Sequence, residues 1–266
     1  MTEVVIAGIG QIPVGEHYTL SLRSMGVQAL TRALKDSGGL KPDALYIGNL
    51  LSSMISHQSN LGALFTDYGR LDSIEAFTTE AAGASGAAAL RLGVLAILSG
   101  QADTVAVLGV EKWSDLVRAD AEAMITQELD YDYESIPGLT STSQAALIQQ
   151  RYLHEHDLEQ NALSGFALLA HANAVHNPFA FYRNPLTEEG YARAGMLSDP
   201  ITIFDGATYA DGAAALVLTR RELLPRGYAH PVISVMGSGA SSDALSWHDR
   251  AEPMSFTAAV RAVDQA

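Results

Sequence analysis

The sequence predicts an α/β fold, with a parallel or mixed sheet covered by helices on both faces. Two observations carry that expectation. Short apolar runs alternate with segments whose apolar residues recur at helical spacing. The composition, 48% hydrophobic with 23 glycines in 266 residues, suits close-packed layers rather than disorder. A chain of this length forms one large domain or two small ones, with a sizeable core.

The elements follow in order. Val4 to Gly10 is an apolar run ended by glycine and then Pro13, so a buried strand. Leu20 to Asp36 places Leu22, Met25, Ala29 and Ala33 on one helical stripe, and Ser37-Gly38-Gly39 stops it. Ala44 to Gly48 reads as a second strand, 58–68 as a helix and 73–78 as a third strand. Ala84 to Leu98 is an alanine-rich helix, and Thr104 to Val110 a fourth buried strand. From Asp115 to Pro200 the composition shifts to helices (140–154 and 159–176), an acidic and aromatic cluster at 130–134, and no convincing strand. Strands resume at 211–219 and 232–236, and 255–265 has a helical pattern that runs uncapped to the end. The expected organisation is an α/β domain over 1–114, an inserted loop subdomain over 115–204, a return strand in 205–230, and the start of a further, incomplete half over 231–266.

Sixteen Lys and Arg face thirty Asp and Glu, a net charge of −14. That balance argues against nucleic-acid or anionic-membrane surfaces, which need clustered cations. The absence of cysteine excludes disulfides, thiolate metal sites and thiol nucleophiles. Without a basic, apolar leader at the start or a spanning apolar run, a cytoplasmic protein is expected.

The run Thr79-Glu80-Ala81-Ala82-Gly83-Ala84-Ser85-Gly86-Ala87-Ala88-Ala89-Leu90 lies between a strand and a helix. It resembles the nucleophile turn of the thiolase superfamily, in which a reactive cysteine stands where this chain has Gly83. Four further segments match that family in order. They are Gly109-Val110-Glu111-Lys112-Trp113, His176-Asn177-Pro178-Phe179-Ala180, Asp205 to Ala215, and Gly237-Ser238-Gly239-Ala240-Ser241-Ser242-Asp243 with His248-Asp249-Arg250. The last is similar to thiolases related to sterol carrier protein X.

The resemblance implies a layered α-β-α-β-α ancestry, here limited to the N-terminal half and an α-rich loop subdomain. It implies an acyl-CoA as ligand, no other cofactor and no metal. It also implies assembly as a homodimer, or as a heteromer with a C-terminal thiolase half or a small OB-fold protein. Two departures qualify it. A thiol at a helix N-terminus would be stabilised as thiolate by the helix and would attack an acyl-CoA, but Gly83 has no side chain. The second half of a thiolase carries the histidines that activate the thiol and build the oxyanion hole, and these segments are expected to fall outside this chain. The resulting scaffold is either a degenerate catalytic site or one used for chemistry without a nucleophile. The first gives a CoA-thioester-binding homologue or a subunit of a complex. The second gives a retro-aldolase acting on a β-hydroxyacyl-CoA.

For the retro-aldol reading the base candidates are Tyr209 and Asp211, although such residues more often cap a turn and bond its backbone amides. Ser238, Trp247 and His248 fall where related enzymes approach the pantetheine arm of CoA, although Trp247 equally reads as a packed core residue. Gly8-Ile9-Gly10 lacks the third glycine of a dinucleotide fingerprint, since position 13 is proline. His154-Glu155-His156 places its histidines on different helix faces and reads as a solvated helix end. Gly83 and Gly86 at a helix start lack a phosphate-loop lysine, and close helix packing is expected to account for both glycines.

Overall fold

The computed structural model describes residues 2–266. In chain order the elements are β1 (Val4–Gln11), α1 (Leu22–Asp36), β2 (Ala44–Gly48), α2 (Ser52–Ile55), α3 (Leu61–Gly69), β3 (Glu75–Thr79), α4 (Ser85–Leu98) and β4 (Thr104–Glu111). There follow α5 (Arg118–Ile125), α6 (Ser141–Glu155), α7 (Ser164–Ala174), α8 (Glu188–Ala192), β5 (Met196–Ser198), β6 (Ile201–Thr202), β7 (Gly212–Arg220), β8 (Ile233–Ser234) and α9 (Thr257–Gln265). They form two compact units. The first runs to Leu116, resumes over Ala210–Ser238 and includes Ala266, and the second comprises Val117–Tyr209 and Gly239–Gln265.

The first unit is built on a six-stranded mixed sheet in the order β3-β2-β4-β7-β1-β8. β2 pairs in parallel with β3 and β4, while β7 runs antiparallel to both β4 and β1. Parallel strands need crossover connections, and the apolar helices between them supply these. All five residues of β2 are buried, as expected for a strand covered on both faces. On one face Met25, Ala29, Leu30 and Ala33 of α1 and Phe65 of α3 pack against Ile47, Leu108 and Val217. On the other, Ala89, Val94 and Ile97 of α4 pack against Tyr46, Val105, Val107 and Leu218. β8 joins the same sheet through Val5 and Ile6 of β1, so the expected boundary at 231 falls between two strands of one sheet.

Sequence capping explains where α1 begins and ends. The Ser21 hydroxyl accepts the Ser24 N–H at 3.2 Å, and Gly38 and Gly39 adopt the left-handed conformation that ends the helix. Gly8 and Gly10, whose spacing hinted at dinucleotide binding, have a packing role. A Cβ at either would lie 2.3 or 2.2 Å from the carbonyl oxygen of Ala33 or Ala29, so both glycines let α1 lie close against β1.

The second unit is mainly helical. Its α6 opens with a capping box, in which Thr140 accepts the Ser143 N–H and Ser143 accepts the Thr140 N–H. The expectation that 115–200 contains no strand needs correction, because β5 falls within it and pairs antiparallel with β6 just beyond its end. These strands are three and two residues long, too short to show a period-two pattern. Among the described residues, no helix is long and apolar enough to cross a membrane.

Candidate functional site

The turn from β3 into α4 carries the position at which the sequence lacks a nucleophile. A 3-10 turn over Ala82–Ala84 leads directly into α4. The buried Ser85 hydroxyl donates to the Ala82 carbonyl at 2.7 Å and accepts the Ala81 N–H at 2.9 Å. Glu80 accepts the Ala82 N–H at 2.5 Å. The left-handed residue of this turn is Ala82, with φ of 46°, and not a glycine.

Close packing does not account for Gly83 or Gly86, contrary to the sequence expectation. A Cβ at either would meet nothing within 4 Å. The tight approach is made by Gly48 at the end of β2, where a Cβ would lie 2.6 Å from the Ser85 oxygen and 2.7 Å from the Gly86 backbone. The first turn of α4 therefore lies against β2 with its exposed side open at Gly83. What position 83 offers chemically is bare backbone at the positive end of a fourteen-residue helix.

Asp211 is fully buried and organises a loop. Its Oδ1 accepts the N–H groups of Trp113 and Ser114 at 2.6 and 2.8 Å, and its Oδ2 accepts the His17 N–H at 2.7 Å. The buried Lys112 ammonium approaches Oδ2 at 3.4 Å and donates to Ser114 Oγ and the His17 carbonyl. Burial would raise the Asp211 carboxyl, but the bonds from Ser114, His17 and Trp113 outweigh it and hold the group below its ordinary value. This is a carboxylate committed to backbone amides. Tyr209 is half-buried and belongs to the second unit, whereas Asp211 belongs to the first.

Ser238, in the first unit, is held by Arg91 of α4, whose guanidinium donates to the Ser238 carbonyl and, at 2.9 Å, to its hydroxyl. Trp247 and His248 form a 3-10 turn in the second unit. Trp247 is half-buried and donates its indole N–H to the Pro253 carbonyl at 2.9 Å. His248 is exposed, lies 5.9 Å from the Tyr133 ring between centroids, and has Asp249 Oδ1 at 3.6 Å from Nε2. His154 and His156 are exposed at the end of α6, with the His156 ring 4.5 Å from that of Tyr152. Among the described residues, no three His, Asp or Glu side chains come together as metal ligands.

Sequence reasoning passed over three charged groups, the half-buried Glu111 and the buried Lys112 and Glu134. Glu111 accepts Asn49 Nδ2 at 3.0 Å and the Leu50 N–H at 2.9 Å, and burial pushes its carboxyl up despite those bonds. Lys112 neighbours it in the Gly109–Trp113 motif, whose string carries no sign of what either side chain holds. Glu134 sits inside the acidic cluster 130–134, where nothing in the local pattern separates it from its exposed neighbours. The second unit also holds a tyrosine–carboxylate pair that the sequence did not single out. Tyr191 Oη donates to Asp205, with both carboxylate oxygens at 2.9 Å, and burial and the carboxylate push the phenol up.

Comparison with known proteins adds to this geometry. The family description "Thiolase, N-terminal domain" matches residues 4–184. An acetyl-CoA acetyltransferase of Methanothermobacter thermautotrophicus is 32% identical over 268 residues, spanning 100% of this chain and 69% of that protein. A 17-hydroxy-3-oxo-4-pregnene-20-carboxyl-CoA lyase of Mycobacterium tuberculosis is 26% identical over 173 residues, 60% of this chain and 44% of that protein. Among solved structures, an Ltp2-ChsH2(DUF35) aldolase superposes with a TM-score of 0.83 at 21% identity, covering 99% of this chain and 68% of that one. That likeness speaks to the fold.

Proposed function

The chain belongs to the thiolase family, and from that premise we propose that it binds an acyl-CoA thioester on a thiolase scaffold and by itself performs no thiolysis. One observation carries this reading. At the start of α4 the nucleophile position is Gly83, and the whole chain lacks cysteine. No thioester intermediate can form there, and the open space beside Gly83 leaves room for a ligand. Ser238, Trp247 and His248 are assigned to the CoA arm. The chain acts either as a CoA-thioester-binding homologue or as one subunit of a larger enzyme. The outer row of α4, with Leu92, Leu95 and Leu98 exposed by 40, 44 and 51%, supports assembly with a second copy or another subunit. Titration calorimetry with coenzyme A tests the binding. Measurable cleavage of acetoacetyl-CoA by the pure chain would overturn the claim that thiolysis is absent.

A second reading is favoured by the lyase relative, whose name describes a CoA thioester. Retro-aldol cleavage of a β-hydroxyacyl-CoA needs a base for the hydroxyl proton and donors for the enolate oxygen, but no covalent thiolate. The hydroxyl loses its proton, the Cα–Cβ bond breaks, and the electron pair passes to the thioester enolate, which is then protonated at Cα. Tyr209 and Asp211 are the base candidates, and both Asp211 oxygens already accept loop donors. In this reading a small OB-fold protein completes the enzyme. Release of a carbonyl product from a β-hydroxyacyl-CoA by the chain with its copurifying partners, lost in Tyr209→Phe, is the expected result. No release with any such partner sinks this reading.

A further inference from the structure

Glu134 is 4% exposed and sits in the short π-helical turn Tyr131–Ser135. Its Oε2 accepts the Asp130 N–H at 3.0 Å. Its Oε1 accepts both Gln144 Nε2 of α6 at 3.0 Å and, 113 residues further along the chain, the Trp247 N–H at 2.9 Å. One carboxylate therefore joins the acidic turn, α6 and the Trp247–Asp249 turn. The indole bond to Pro253 fixes the same turn from its other side. Next to Glu134, the exposed Tyr133 ring lies against the His248 ring.

Burying a carboxylate is costly unless donors surround it, and apolar packing alone would serve to hold an ordinary surface turn. Here the bonds direct the carboxylate at the backbone of Trp247, beside the imidazole that Tyr133 flanks. We infer that Glu134 is a positioning residue for the coenzyme A arm. It holds the Trp247–His248 turn in its binding conformation without touching the ligand. The inference rests on the reading above, in which that turn borders the arm.

The test is calorimetric titration of coenzyme A into the full chain, with amide exchange of Trp247 followed in parallel. Glu134→Ala removes all three bonds and is expected to weaken coenzyme A by about tenfold, with faster exchange at Trp247. Glu134→Gln keeps an oxygen for Trp247 and is expected to recover binding to within about threefold of wild type. Unchanged affinity in Glu134→Ala overturns this inference alone. If that variant does not fold, Glu134→Asp replaces it. The shorter carboxylate withdraws from Trp247, so weaker binding is expected, and wild-type affinity overturns the inference. Failure of the wild-type chain to bind coenzyme A overturns the functional reading, and this inference with it.

Discussion

Ser85 donates its hydroxyl to the carbonyl of Ala82 at 2.7 Å, and Ala82 is the residue that carries the left-handed conformation of the β3–α4 turn. The turn is therefore held by a side-chain bond across a conformation that alanine dislikes. Ser85→Ala leaves the Ala81 N–H without its acceptor and should destabilise the chain by about 1–2 kcal/mol in urea denaturation. Ala82→Gly relieves the positive φ and should stabilise by roughly 0.5–1 kcal/mol. A neutral Ser85→Ala would mean that the turn is held by other contacts.

Position 83 is open, so Gly83→Cys should fold with a stability within about 0.5 kcal/mol of wild type. The new thiol would be the only one in the chain and would sit at the start of α4. Its pKa should lie below about 8.5, through the helix N-terminus. The pH dependence of its alkylation rate measures this directly. A thiol titrating at or above that value would show that the turn has lost the geometry needed to activate a nucleophile.

Gly48 is a different case. An added Cβ would meet backbone atoms of Ser85 and Gly86 that no rotamer change can move. Gly48→Ala should cost about 2–3 kcal/mol, read from the shift of the denaturation midpoint. Gly86→Ala, which meets open space, is the matched control and should be neutral or slightly stabilising. Equal effects at the two positions would contradict the close approach of α4 to β2.

Asp211 has a folded-state carboxyl below its ordinary value, because the loop amides favour the charged form more than burial opposes it. The stability it contributes is thus present above the unfolded pKa of about 3.9 and is lost as pH falls through the lower folded value. Asp211→Asn should remove that part of the acid dependence. At neutral pH it should cost about 3 kcal/mol, since it also leaves Lys112 less compensated. Glu111, whose carboxyl is raised by burial, acts with the opposite sign, losing stability as pH rises through its folded value. Comparing the pH–stability curves of wild type and Asp211→Asn separates the two. Parallel curves below pH 4 would rule Asp211 out as the source.

The sequence by itself determined the layered α/β plan, because strand and helix patterns are local and each apolar face must find cover. It also determined the chemistry that position 83 cannot do, since a missing side chain is visible in any conformation. Even the glycines were half legible. Gly38 and Gly39 read correctly as a helix stop, whereas Gly83 and Gly86 were assigned to packing that in fact falls on Gly48. Tertiary structure alone decided which acidic residues are buried and what they hold. Asp211 gathers donors from His17 and Trp113, 194 and 98 residues away, and Glu134 reaches Trp247 across 113 residues. Those bonds join segments distant in sequence, and a carboxylate in an acidic run looks the same in the string whether it faces water or three N–H groups.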